Sequence, residues 1–148
     1  MSRTLLLAPA IAAVSMLLPG RASAEPKYPH LHQALYEMKE AHKQLKEAGH
    51  DFGGHRERAL EGLDAAIRQT EKCLREVGDP YHEDFRPREG VYHEYKNFVH
   101  LRHSVVEMKE ARHALKDAPH DFKGHRDEAI RFLDYAIEQC EKCLPYCK

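Results

Sequence analysis

From Leu31 onward the apolar residues of this chain return every three or four positions, as Leu31, Ala34, Met38, Ala41, Leu45 and Ala48. A second stripe runs through Leu60, Leu63, Ile67, Thr70 and Leu74, beside a row of small residues at Ala59, Ala66 and Cys73. Most positions between them are charged. Side chains three and four apart share one side of a 3.6-residue turn, so each stretch predicts a helix with one apolar face. The first stripe alternates large and small side chains, and the small row beside the second gives a neighbouring helix room to approach. Both stripes then recur, as Leu101, Ser104, Met108, Ala111, Leu115 and Ala118, and as Ile130, Leu133, Ile137, Cys140 and Leu144.

The recurrence is an internal duplication. Displaced by 70 residues, His30–Leu74 aligns with His100–Leu144 without a gap, and 26 of the 45 positions are identical. Each copy carries two amphipathic helices that must bury their faces against something, which predicts an all-α protein: a four-helix bundle made of two duplicated antiparallel helical hairpins. Repeat 1 covers about 29–76 and repeat 2 about 91–146, separated by a linker at about 77–90 that holds Gly78, Pro80, Pro87 and Gly90 as helix breakers. Helical spacing through Glu94, Phe98, Leu101, Val105 and Met108 starts the second copy near Val91, and Pro145 ends the last helix. Met38 and Met108 fall mid-stripe and are expected in the core. Asp64 and Asp134 sit between apolar positions and are expected to pair with Arg or His across the bundle. Tyr81, Tyr92 and Tyr95 are expected to cover it.

The first 24 residues do not belong to this pattern. Arg3 leads into "LLLAPAIAAVSMLLP", too short and Pro-interrupted to span a membrane, and "ASA" precedes Glu25 as a signal peptidase site would. Residues 1–24 therefore read as a cleaved export signal, and 25–148 as one helical domain that is periplasmic or extracellular, with no membrane span after cleavage. Without that leader, 21 basic residues face 24 acidic ones, interspersed, so no basic stripe for nucleic acid is present. No phosphate loop, Rossmann turn, C-x-x-C-H haem motif or Ser-His-Asp spacing occurs. The chain reads as a non-enzyme without haem or nucleotide.

Twelve histidines are the compositional anomaly. The segment H-D-F-x-G-H-R stands at both hairpin turns, as "HDFGGHR" from His50 and "HDFKGHR" from His120. Asp51 and Asp121 suit a helix cap, with Gly54 and Gly124 as the alternative cap residues, and Phe52 and Phe122 suit an end plug. Neither role asks for imidazole. An up-down-up-down bundle puts both turns at one end, gathering His50, His55, His120, His125, Asp51 and Asp121 into a candidate site for Cu, Zn or Ni. His30, His100 and His103 are secondary candidates at the other end, where Cys73 and Cys143 would join His30 and His100 in a zinc site if reduced. In an exported chain the four cysteines are expected as disulfides: Cys73 with Cys143 and Cys140 with Cys147, or Cys73 with Cys147.

The "KEAGHDFGGH" junction, the helical repeats and the leader resemble the small periplasmic His-rich metal-binding proteins, which are four-helix bundles. That resemblance implies binding of copper or another divalent metal and no catalysis. The leading expectation is therefore an exported, non-enzymatic bundle that binds or buffers transition-metal ions through turn histidines. The rival is a disulfide-stabilised structural or protein-interaction module with no metal role.

Overall fold

The computed structural model describes residues 25–87, 97–119 and 121–147. The expected helix start near Val91, and the expected roles of Tyr92, Tyr95 and His120, lie outside them. Four helices form: α1 (Pro29–Glu47), α2 (Arg56–Glu76), α3 (Val99–Asp117) and α4 (His125–Cys143), followed by a 3-10 turn at Leu144–Tyr146 where Pro145 interrupts the ladder. Among the described residues there is no strand, and no helix is long and apolar enough to cross a membrane. The described part of the third helix starts at Val99 because Phe98 takes a left-handed φ of 52°, which no α-helix continues through.

The predicted stripes are the buried faces. Leu31, Met38, Leu45, Leu63 and Leu74, and their counterparts Leu101, Met108, Leu115 and Leu133, are fully buried in one core. The small row of Ala59, Ala66 and Cys73 is fully buried. A Cβ added at Gly62 of α2 would stand 3.1 Å from the Ala136 Cα of α4, so the two backbones come close there. Asp64 and Asp134 pair across the bundle with His42 at 3.1 Å and Arg112 at 2.6 Å.

The mutual arrangement of the hairpins differs from up-down-up-down. α1 packs chiefly on α3, and α2 on α4. Tyr28, which precedes α1, meets Phe122 of the second turn with ring centroids 5.3 Å apart, while Phe52 of the first turn meets Phe98 before α3 at 5.1 Å. The open end of each hairpin thus rests on the closed end of the other. The two hairpins run antiparallel, related by a pseudo-twofold axis across the bundle.

The length of the linker makes this possible. A 19-residue helix is about 28 Å long. An extended chain covers that in roughly nine residues. The segment from Val77 to Phe98 is more than twice as long, so it carries the chain from one end of the bundle to the other. Its first part lies along α1, where Tyr81 and Phe85 contact the His32 ring at 5.9 and 5.7 Å and Lys39 sits 4.6 Å over Tyr81.

Each turn is a left-handed run of three residues. Phe52, Gly53 and Gly54 have φ of 54°, 66° and 85°, and Phe122, Lys123 and Gly124 have 52°, 53° and 86°. For the two phenylalanines this conformation costs about 1–2 kcal/mol each. Burying their rings, at 0% and 2% exposure, outweighs it, since a buried Phe contributes about 1.5–3 kcal/mol. The motif arginines close the loop by donating back to the preceding helix, Arg56 Nη1 to Ala48 O at 2.9 Å and Arg126 Nη1 to Ala118 O at 3.3 Å. The expected aspartate caps do not form. Neither α2 nor α4 has a side-chain cap; the N-cap positions are His55 and Gly124, and the aspartates act through their backbone carbonyls, which accept from Arg56 and Arg126.

Candidate functional site

Because the hairpins are antiparallel, the two turns lie at opposite ends of the bundle. The six-residue turn site is therefore not assembled: His50, Asp51 and His55 stand at one end, Asp121 and His125 at the other. Gathering them at one end requires up-down-up-down order, which the antiparallel hairpins do not have. His50 instead serves its own turn. Its Nδ1 accepts from Phe52 N–H at 3.3 Å and its ring packs on Phe52 and Phe98. His55 faces Tyr146 with ring centroids 6.3 Å apart.

The second expected group is dispersed too. His30 and Cys73 lie at the end of the second turn, Cys143 at the end of the first. His100 of α3 reaches Glu37 of α1, Nδ1 to Oε2 at 3.0 Å. Glu37 is 1% exposed and also accepts from Gln33 Nε2 at 3.1 Å, so this carboxylate is held by two partners in the α1/α3 seam. His103 is buried in α3.

All four cysteines are thiols. Cys73 and Cys143 are separated by most of the length of α2, about 25–30 Å by helical rise, against a disulfide limit near 7 Å between Cα atoms. Pairing Cys73 with Cys143, or with Cys147, does not fit this fold. Cys140, Cys143 and Cys147 cluster at the C-terminal end of α4, where Cys147 Sγ donates to Cys143 O at 3.5 Å. Burial pushes the thiols of Cys73 and Cys143 up to about 11 and raises those of Cys140 and Cys147 as well, so all are held protonated.

Two histidines stand where their repeat mates are arginines. His42 pairs with Asp64 as Arg112 pairs with Asp134. Arg102 Nη2 donates to Cys147 O at 3.1 Å, tying the tail after α4. His32, its mate, faces the segment after α2 in the same way, but with a different result. Its Nε2 lies 3.1 Å from Asp79 Oδ2, within ion-pair range, yet this atom is buried and no hydrogen bond is aligned on it. Both residues also line a shared space.

That space is a cavity of about 550 Å³ between the start of the crossover and the N-terminal segment. His32, Asp79, His82 and Asp84 line it, with Phe85 and Glu25 on its walls. His32 is 3% exposed and is held by the Tyr81 and Phe85 rings. Asp79 is oriented by Tyr28 N–H, which donates to Oδ2 at 3.1 Å. Among the described residues no three His, Cys, Asp or Glu side chains already stand at metal-binding separations. The sequence reading missed this pocket, because His32 sits inside the helical stripe pattern and the crossover's path along α1 has no local signature. The chain matches no family model, no curated protein and no solved structure.

Proposed function

We propose that this chain is an exported, non-catalytic binding protein that takes a divalent transition-metal ion, Cu, Zn or Ni, in the crossover cavity. His32 Nε2 and Asp79 are the donor pair, and His82 and Asp84 line the same cavity. The observation that carries this reading is the buried His32 Nε2 without an aligned hydrogen bond, 3.1 Å from a carboxylate oxygen. An imidazole atom withdrawn from water and left unbonded is costly, and a metal ion is the ligand that a lone pair beside a carboxylate suits. Nitrogen and oxygen donors bound to one ion at about 2.0–2.2 Å are separated by roughly 3 Å when the angle between them is near 100°, which this pair already satisfies. Tyr28 N–H on the carboxylate is the kind of outer contact that orients a metal ligand. Export is supported by the leader-like residues 1–24.

The test is titration calorimetry of the chain from Glu25 with Zn(II), Cu(II) and Ni(II). His32→Gln is expected to weaken binding at least tenfold with helicity unchanged, while the turn variant His55→Gln/His125→Gln binds as the parent does. Binding that survives His32→Gln intact overturns the assignment.

A further inference from the structure

We propose that Cys147 and Cys143 form a redox-active pair: Cys147 is the entry thiol for a small disulfide oxidant of the glutathione type, and Cys143 resolves the mixed disulfide into a Cys143–Cys147 link. The pair lies on the tail after α4 and is independent of the cavity.

Geometry selects these two. Cys147 Sγ lies 3.5 Å from the Cys143 carbonyl oxygen, which puts the sulfur within about 6 Å of the Cys143 Cα. Cys140 and Cys143 also stand close, at i and i+3 of α4, but a helix holds such Cβ atoms about 5–6 Å apart, against the 3.5–4.5 Å that a disulfide needs. Cys147 is free of that constraint. It follows the 3-10 turn with φ −85° and ψ 79°, outside the helical ladder.

The order of reaction follows from exposure and charge. Cys147 is 8% exposed and the other three cysteines 0%. Arg102 donates from Nη2 to Cys147 O at 3.1 Å, and its guanidinium opposes the rise that burial imposes on the Cys147 thiol. The charged neighbours of Cys73 and Cys140 are Glu76 and Glu141, which push those thiols further up. The thiolate is the attacking form, so Cys147 reacts first. It loses its proton and attacks one sulfur of glutathione disulfide, forming a Cys147–glutathione bond and releasing one glutathione thiol. Cys143 then loses its proton and attacks Cys147 Sγ, expelling the second glutathione. Two cysteine thiols give up two electrons, and one glutathione disulfide becomes two thiols. The link fixes the turn that seats Tyr146 against Gly53.

The experiment treats the reduced, folded protein with glutathione disulfide, quenches it with iodoacetamide over time and maps peptides without reduction. The expected result is an early adduct on Cys147, then a Cys143–Cys147 link, with Cys73 and Cys140 alkylated only after denaturation. Cys143→Ser should accumulate one glutathione per chain on Cys147, and Cys147→Ser should react at least tenfold more slowly than the parent. A first adduct on another cysteine, a Cys140–Cys143 link, or no adduct in Cys143→Ser overturns the proposal. So does a folded protein that stays unmodified under conditions where the denatured chain reacts.

Discussion

The ring of Tyr146 fills the space beside Gly53, where an added Cβ would run into Cζ. The repeat mates of these two residues, Lys123 and Glu76, form a 2.7 Å ion pair at the other end of the bundle. The same two positions therefore join hairpin end to opposite turn in both halves, once as an aromatic ring on glycine and once as lysine on glutamate. The substitutions within the duplication are complementary, which ties each turn to its own partner.

Gly53→Ala should accordingly cost the left-handed strain, about 1–2 kcal/mol, plus a smaller amount for swinging the half-exposed Tyr146 ring aside. Gly124→Ala, with open space around its Cβ, should cost only the strain, about 1–2 kcal/mol. Tyr146→Ala in the Gly53→Ala background should remove the difference. Urea unfolding of the three variants measures this, and equal costs at Gly53 and Gly124 would show that the Tyr146 contact is not made.

The plugs and the core carry most of the stability. Phe52→Ala and Phe122→Ala should each cost about 3–5 kcal/mol, and Met38→Ala about 2–5 kcal/mol, because each opens a cavity where no side chain can relax inward. A loss below about 0.5 kcal/mol at Met38 would place that position on the surface.

Alkaline pH should destabilise the protein before any backbone chemistry begins. Burial raises the folded-state values of Cys73 and Cys143 from 9.0 to about 11, and that of Tyr81 from 10.0 to about 12. Raised values favour the neutral folded forms, so their stabilisation is complete below about pH 9 and is lost as pH climbs toward 11–12. Thermal melts from pH 8 to 11.5 should show a steady fall in Tm from about pH 9, shallower in Cys73→Ala. A flat profile across that range would mean that the thiols are not buried.

Oxidation tests the chain path. Non-reducing peptide maps of the oxidised monomer should contain no Cys73–Cys143 and no Cys73–Cys147 link, since α2 separates those positions by about 25–30 Å. Finding either link in a folded monomer would restore parallel hairpins and contradict the antiparallel arrangement.

The helices, their buried faces and the turn positions were legible because stripes such as Leu31–Met38–Leu45 repeat with helical period and recur 70 residues later. The relative direction of the hairpins was not. It depends on whether the linker spans the bundle, and apolar periodicity within each helix is the same for both directions. That one ambiguity decided where His50, His55 and His125 stand. The pocket stayed hidden for a related reason: His32 and Asp79 are 47 residues apart, and only the antiparallel hairpin and the docked N-terminal segment bring them together.

X-ray absorption at the metal edge of the zinc-loaded chain from Glu25 tests the cavity site most directly, because it reports the donor atoms themselves. The first shell should be nitrogen and oxygen alone at about 2.0–2.2 Å, with imidazole scattering that disappears in His32→Gln. A sulfur shell near 2.3 Å would place the ion on the Cys140, Cys143 and Cys147 cluster instead and contradict it.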